Sequence, residues 1–374
     1  MNEISNSIAH SDNSTRIFKN SALVSNLFPK EMRPNCKHVI IAGPCSAETE
    51  EQTLATARAL NPKEVNIFRA GLWKPRTMPG FFEGVGEEGL AWLRRVREET
   101  GLPISTEVAT PQHVEACLKA GLDYLWVGAR TSANPFAMQE LAEALRGVDN
   151  VGVMVKNPLN PDLKAWIGAI DRLQRVGIDR IGAIHRGFSI SGPHIYRNSP
   201  LWRLPIELHR KMPDLPILVD PSHIAGRRDL VEGLCREAVD MGFDGLMIET
   251  HCNPDEAWSD AAQQLTPAQL SETITELRPR STKNYSDQLE DLRKQVDGLD
   301  DELLEVLARR FEITDEIGRL KCQYDMPIVQ TGRYHALMED RVNSGAGLGL
   351  SPEFLRLLLS TIHEESVSRQ TALK

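Results

Sequence analysis

The sequence predicts an α/β chain: a (β/α)8 TIM barrel followed by an all-helical domain. Short apolar runs of β character alternate with helix-length segments about eight times, the pattern of a parallel sheet closed on itself. Nearly every run ends in a cation or a potential metal ligand, as expected of the carboxyl ends of barrel strands. Beyond a polar, proline-bearing stretch the apolar spacing switches to threes and fours, which is helical.

Residues 1–37 form a polar extension rich in Ser and Asn, with one short element around Ile17 to Phe28. The extension has no basic start followed by an apolar core, so it does not read as a secretory signal. The barrel is expected over 38–277. Ile40-Ile41-Ala42-Gly43-Pro44 leads to Cys45. Val65-Asn66-Ile67-Phe68 leads to Arg69 and then to Lys74-Pro75-Arg76-Thr77. Ile104-Ser105-Thr106 leads to Glu107, and Tyr124-Leu125-Trp126-Val127 to Arg130. Val151 to Val155 leads to Lys156, and Ile181 to Ile184 to His185 and Arg186. Ile217-Leu218-Val219 leads to Asp220-Pro221-Ser222-His223, and Leu246-Met247-Ile248 to Glu249. Helices are expected over Glu51 to Leu60, Gly86 to Thr100, Pro111 to Ala120, Pro135 to Arg146, Ala165 to Val176, Leu201 to Lys211, Arg227 to Met241 and Pro267 to Leu277.

Residues 278–286 read as a linker, and 287–374 as the helical domain. Leu289, Leu292, Val296, Leu299, Leu303, Val306, Arg310, Ile313, Ile317 and Leu320 recur by threes and fours, a heptad seam with an arginine in it. One helix spanning them is about 50 Å long at 1.5 Å per residue, too long for a small domain to cover its whole stripe. Gly332 to Val342 is expected as a short helix, Asn343 to Leu350 as a glycine-rich loop, and Pro352 to Leu373 as a last helix.

Composition narrows the function. The 374 residues suffice for a barrel and a smaller partner domain, and 41% hydrophobic content supplies a core. A net charge of -9 argues against nucleic-acid binding. The six cysteines show no CxxC pairing, so neither a zinc knuckle nor a disulfide framework is expected, and a reducing, cytoplasmic setting fits. No apolar stretch is long enough to span a bilayer.

Cys45, His223, Glu249 and Asp260 are the candidate metal ligands. A barrel brings its first and last strands together, and mixed sulfur, nitrogen and oxygen donors suit a divalent transition ion, Mn2+ or similar. Each residue alone also reads as structural: a small buried hydrophobe, a turn cap, a solvated acid. Arg69, Lys74, Arg76, Arg130, Lys156 and Arg186 are cations on the same face. Converging cations repel unless anions lie among them, which points to phosphorylated substrates.

These residues resemble a known family. Ala42-Gly43-Pro44-Cys45-Ser46, Arg69 through Lys74-Pro75-Arg76-Thr77, Gly128-Ala129-Arg130, Lys156-Asn157, Asp220-Pro221-Ser222-His223, Glu249 and Ser259-Asp260 are similar to the type I, β-subclass 3-deoxy-D-arabino-heptulosonate 7-phosphate (DAHP) synthases. The resemblance runs from about His38 to Gln264. It implies condensation of phosphoenolpyruvate with erythrose 4-phosphate at a metal site made by the four candidate ligands. It also implies that Arg69, Lys74, Ala129, Arg130, Lys156 and Arg186 bind phosphoenolpyruvate, and that Arg76 and Thr77 hold the aldose phosphate. Lys156 is the implied proton donor to C3 or to the product oxygen, and Glu107 a candidate to orient the attacking water. A sister enzyme that uses arabinose 5-phosphate shares the barrel. It typically reads Lys-Ala-Asn-Arg where this chain has Lys74-Pro75-Arg76-Thr77, which favours the heptulosonate reaction. Met78 stands where related sequences often carry Ser.

From about Tyr285 onward the chain resembles the all-helical chorismate mutases, with Arg293, Arg310, Lys321, Arg333, Ser366 and Gln370 at matching positions. This implies a rearrangement of chorismate to prephenate that needs no cofactor. Lys321 and Gln370 are the implied donors to the ether oxygen, and Arg310 and Arg293 the implied carboxylate partners, with Arg293 supplied by a second chain of a homodimer. Gln330 stands where many relatives have Asp, and Tyr334 where many have Glu; Glu339 is a candidate to compensate. A seam arginine also has an alternative reading, an intrachain partner such as Asp315 or Glu364. The rival to two activities is a synthase whose helical domain is a weakly active dimerisation or prephenate-sensing module. Prephenate is the expected feedback inhibitor, with no nucleic-acid or membrane partner.

Overall fold

The computed structural model describes residues 27–29, 38–74, 80, 82–190, 195–277 and 286–373. It divides into two compact units, Met1–Arg280 and Ser281–Lys374. No helix of the described residues is long and apolar enough to cross a membrane.

In the first unit, β1 (Val39–Gly43), β2 (Ile67–Arg69), β3 (Ile104–Val108), β4 (Tyr124–Val127), β5 (Gly152–Lys156), β6 (Ile181–His185), β7 (Ile217–Val219) and β8 (Gly245–Glu249) close a parallel barrel in sequence order. Closure is made by β1 against β8, with Val39 opposite Gly245 and Gly43 opposite Glu249. Around the barrel run α1 (Glu50–Ala59), α2 (Glu88–Thr100), α3 (Pro111–Ala120), α4 (Ala129–Ser132), α5 (Pro135–Ala144), α6 (Leu163–Arg175), α7 (Arg203–Lys211), α8 (Pro221–Ala225), α9 (Val231–Asp240) and α10 (Pro267–Glu276). Local chemistry sets their limits. Thr49, Thr110, Asn134 and Asp162 each accept an orphan amide at a helix start, and Thr266 forms a capping box with Gln269. Two short helices were not expected: α4 and α8 sit directly at strand carboxyl ends. The helix expected from Arg227 splits into a 3-10 turn, Arg228–Leu230, and α9.

Side chains alternate along the strands. Ile40 and Ala42 face the helices, whereas Val39 and Ile41 join Ile67, Trp126, Met154, Ile184, Leu218 and Met247 inside the barrel. Leu27 and Phe28, from the extension, belong to that inner cluster. Leu27 is fully buried, its carbonyl accepts from the Tyr124 hydroxyl at 3.2 Å, and its side chain fills the space above two glycines. A methyl on Gly152 or Gly182 would come within 2.9 or 2.4 Å of it. The rest of the element expected at Ile17 to Phe28 lies outside the described residues.

The second unit consists of α11 (Ser286–Gln323), α12 (Thr331–Ala346) and α13 (Pro352–Thr371). The expected glycine-rich loop is shorter than read: α12 continues through Asn343, Ser344 and Gly345, because Gly345 packs under Leu355 of α13, where a Cβ would come within 2.6 Å of it. The seam residues Leu292, Val296, Leu299, Leu303, Val306, Ile313, Ile317 and Leu320 are exposed. The row packed against α13 is instead Arg310, Thr314, Gly318 and Lys321.

Candidate active sites

At the carboxyl end of the barrel, ligand atoms of Cys45, Glu249 and Asp260 lie within 4.8 Å of one another. Each arrives from a different segment: the loop after β1, the end of β8 and the loop beyond it. His223, carried by α8, joins through Glu249, with Nε2 3.7 Å from Oε1. Its Nδ1 lies 2.8 Å from Asp220 Oδ2, which turns Nε2 toward the cluster. Burial holds the His223 pKa below its usual value, keeping the imidazole in the neutral form that a metal takes. Burial, with Glu249 beside it, pushes the Cys45 thiol well above its ordinary range. Burial alone would raise Asp260, but the Lys74 ammonium beside it holds it well below the carboxylate range. Lys74 Nζ donates to Asp260 Oδ2 at 2.9 Å and touches Cys45 Sγ.

The donor set suits a divalent transition ion, and Glu249 Oε1 supports that fit. This oxygen is buried with no hydrogen-bond partner in the described structure, although Arg69 Nη2 is 3.4 Å away. An unsatisfied buried carboxylate oxygen is costly without a cation nearby. Arg69 has the complementary need. It is 2% exposed, lies over the Trp126 ring at 4.7 Å, and has Nε and Nη1 buried without partners. Lys156 Nζ pairs with Asp220 Oδ2 at 2.8 Å. Arg186, pulled by burial to a pKa of about 10, donates to Asn198 Oδ1 at 2.9 Å. Ala129 is buried and Arg130, next to it on α4, is exposed. Glu107 accepts from Trp126 Nε1 at 2.9 Å and lies against Gly128, where a Cβ would meet its Oε1 at 2.2 Å. Arg76, Thr77 and Met78 lie outside the described residues.

Other residues of this site escaped the sequence reading. Asp220, quoted in the strand-end motif but given no role there, joins Lys156 to His223. Arg197 donates to Asp260 Oδ1 and Gln263 Oε1, both at 3.0 Å, from a loop with no periodic pattern. Gln263 donates to Glu249 Oε2 at 2.6 Å. Gln264 accepts from the Cys45 amide at 3.0 Å and donates to the Ser259 carbonyl at 2.8 Å, tying two ligand-bearing loops together. An uncharged amide side chain leaves no such signature. Asp260 itself has φ 47, left-handed backbone that a non-glycine residue keeps only when its neighbours hold it there.

In the helical unit, Arg310 of α11 is half-buried and donates to Ser366 Oγ at 2.8 Å. Lys321 donates to Gln370 Oε1 at 3.1 Å and to the Ile328 carbonyl at 2.5 Å. Ser366 and Gln370 are buried on α13. These four residues are brought together. Arg293 is not: it is exposed beside Glu290, seventeen positions before Arg310, about 26 Å along a helix that rises 1.5 Å per residue. Arg333 is exposed near the start of α12. Tyr334 lies against His363, ring centroids 4.4 Å apart and tilted by 37°.

Residues 33–284 match the DAHP synthetase I family, and residues 292–371 match type II chorismate mutase. A phospho-2-dehydro-3-deoxyheptonate aldolase of Thermotoga maritima is 34% identical over 239 residues, spanning 64% of this chain and 68% of that protein. A 2-dehydro-3-deoxyphosphooctonate aldolase of Syntrophotalea carbinolica is 31% identical over 258 residues, spanning 64% of this chain and 88% of its own. Among solved structures, the Thermotoga maritima DAHP synthase aligns with a TM-score of 0.58 at 31% identity, covering 64% of this chain and 68% of that one. The closed barrel, the clustered strand-end residues and these matches together make the chain a member of the DAHP synthetase I family, a bifunctional enzyme with a type II chorismate mutase domain following its barrel.

Proposed function

We propose that the barrel condenses phosphoenolpyruvate with erythrose 4-phosphate and water to give DAHP and phosphate, and that the helical unit rearranges chorismate to prephenate. The observation that carries the barrel reading is Arg69, buried with Nε and Nη1 lacking hydrogen-bond partners, beside a ligand cluster whose Glu249 Oε1, 3.4 Å from Arg69 Nη2, accepts no hydrogen bond either. One is a place for an anion, the other for a cation.

In this reading Arg69, Lys74, Arg130, Lys156 and Arg186 hold the phosphate and carboxylate of phosphoenolpyruvate, with Ala129 lining that pocket, and Arg76 and Thr77 take the aldose phosphate. The Lys74-Pro75-Arg76-Thr77 sequence favours the four-carbon aldose over arabinose 5-phosphate, the substrate of the sister enzyme. Cys45, His223, Glu249 and Asp260 would hold a divalent transition ion, Mn2+ or similar, which would supply Lewis acidity toward the aldehyde. C3 of phosphoenolpyruvate forms the bond to the aldehyde carbon, water adds at C2, and phosphate leaves by C–O cleavage. Lys156 donates a proton to the oxygen of the former aldehyde as it becomes the product hydroxyl, with Asp220 holding its Nζ. Glu107, held by Trp126, orients the water. Clamping both substrates contributes several kcal/mol through orientation.

The mutase face needs no cofactor. Lys321 and Gln370 donate to the breaking ether oxygen, and Arg310 takes a carboxylate, with Ser366 fixing its guanidinium. Arg293 of a second copy completes the site, and Arg333 adds a further cation. The exposed seam of α11 supports a homodimer through this unit. The free cysteines among the described residues fit a cytoplasmic enzyme.

The test is an assay of both reactions on the purified protein before and after chelation. Chelation should abolish condensation, restored by Mn2+, and leave chorismate rearrangement unchanged. Full condensation by protein shown metal-free by elemental analysis would remove the metal assignment. Preference for arabinose 5-phosphate would reassign the aldose.

A further inference from the structure

We propose that His363 belongs to the substrate-binding face of the mutase and takes up a proton when the dicarboxylate substrate or product binds. This rests on the reading of the Arg310, Lys321 and Gln370 face as the mutase site.

The placement follows from helix geometry. His363, Ser366 and Gln370 are spaced by three and four, so they form one row on α13. The latter two are buried and bonded to Arg310 and Lys321. His363 continues the row one turn earlier, half-buried. From α12, Tyr334 lies against it at 4.4 Å with a 37° tilt, and the adjacent His335 meets the Tyr334 ring edge-on at 5.8 Å. The ring is thus seated against an aromatic neighbour at the edge of the cationic face, half-buried.

The charges around it decide its chemistry. Arg310 and Lys321 face it from α11, Glu364 is its neighbour on α13, and Tyr334 and His335 are the titratable groups from α12. Burial first, then Arg310 and Lys321, hold the His363 pKa below its ordinary value, with only Glu364 opposing. The free imidazole is therefore neutral near neutral pH. A dianion seated between Arg310 and Lys321 offsets both cations and brings negative charge within reach of the ring. Nearby opposite charge favours the protonated imidazole. Binding then raises the pKa of His363, and linkage requires proton uptake wherever the free ring is neutral and the complexed ring charged. Affinity strengthens as pH falls through the value in the complex. The gain levels off below the value in the free protein, where both forms carry the proton. A histidine that only packs keeps the same charge with and without ligand.

Calorimetric titration of the full chain with prephenate, a product that does not turn over, reads this directly. Near pH ~7, in buffers of different ionisation enthalpy, the wild type should show buffer-dependent heat corresponding to uptake of part of a proton. Its affinity should weaken as pH rises, by at most about tenfold per pH unit. His363→Leu should abolish the buffer dependence, as should His363→Asn, a polar replacement that covers the case where leucine disturbs packing. His335→Asn should retain it. Binding with buffer-independent heat in the wild type, or uptake persisting in a folded His363 variant, overturns the proposal. A wild type that turns over chorismate but shows no prephenate binding also overturns it, while leaving the mutase reading intact. A wild type that neither binds prephenate nor rearranges chorismate removes the mutase reading as well.

Discussion

Arg310 carries a charge into a half-buried position without a carboxylate partner among the described residues. Asp315, one intrachain acid within reach of the same helices, is taken by Arg369 at 2.6 Å. The Ser366 hydroxyl orients the guanidinium but does not neutralise it, which leaves its charge open to an external anion. Arg310→Ala should lower mutase turnover about thirtyfold, the equivalent of about 2 kcal/mol, while condensation in the same preparation is unchanged. Near-normal rearrangement by that variant would make Arg310 structural. Residues of this kind are legible in a sequence because charge stands out against an apolar pattern. Cys45, His223, Glu249 and the cations drew notice because each follows an apolar run, where a parallel strand leaves the sheet. Gln263, Gln264 and Asn198 hold those same side chains in place, yet neutral amides have no periodic or charge signature. Arg197 was hidden by its position in a loop, where spacing says nothing about which way a side chain reaches.

The barrel strands and the long helix were legible as elements because alternation and heptad spacing follow directly from backbone geometry. What failed were boundaries set by tertiary contact. Asn343 to Gly345 read as loop from composition, but Leu355 covers Gly345 and makes helix the better-packed state. The short helices α4 and α8 are too brief to show a period. For α11 the length matters most. Its 38 residues extend about 57 Å at 1.5 Å per residue, and its apolar seam stays exposed in one chain. Arg293 lies too far along this rod to reach the face that holds Arg310. Mixing Arg293→Ala with Arg310→Ala protein under exchange conditions should therefore restore part of the mutase activity, because one hybrid site regains both arginines. Heterodimers shown by mass spectrometry to form without any rescue would place each site within one chain.

At the scale of the molecule, two catalytic units share one chain through residues 278–285, which lie outside the described residues. Prephenate bound to the helical unit slows condensation only if it favours a less active arrangement of the chain; equal affinity for every arrangement shifts nothing. The expected outcome is inhibition of condensation by prephenate in the intact enzyme, absent after cleavage within 278–286. Equal sensitivity of intact and cut protein would exclude that coupling. The barrel itself is also held from outside its strands, by Leu27. Its carbonyl is bonded to a tyrosine 97 positions away, and its side chain rests on glycines of β5 and β6 that lie further still. Contacts between such remote positions reward the chain only after the intervening loop has been closed. The stopper can therefore seat only once the ring of strands exists, which makes it a late event in folding and an early one in opening. Shortening it, as in Leu27→Ala, should hasten unfolding while the refolding rate stays nearly unchanged, so that the extension acts on the lifetime of the barrel and not on its assembly.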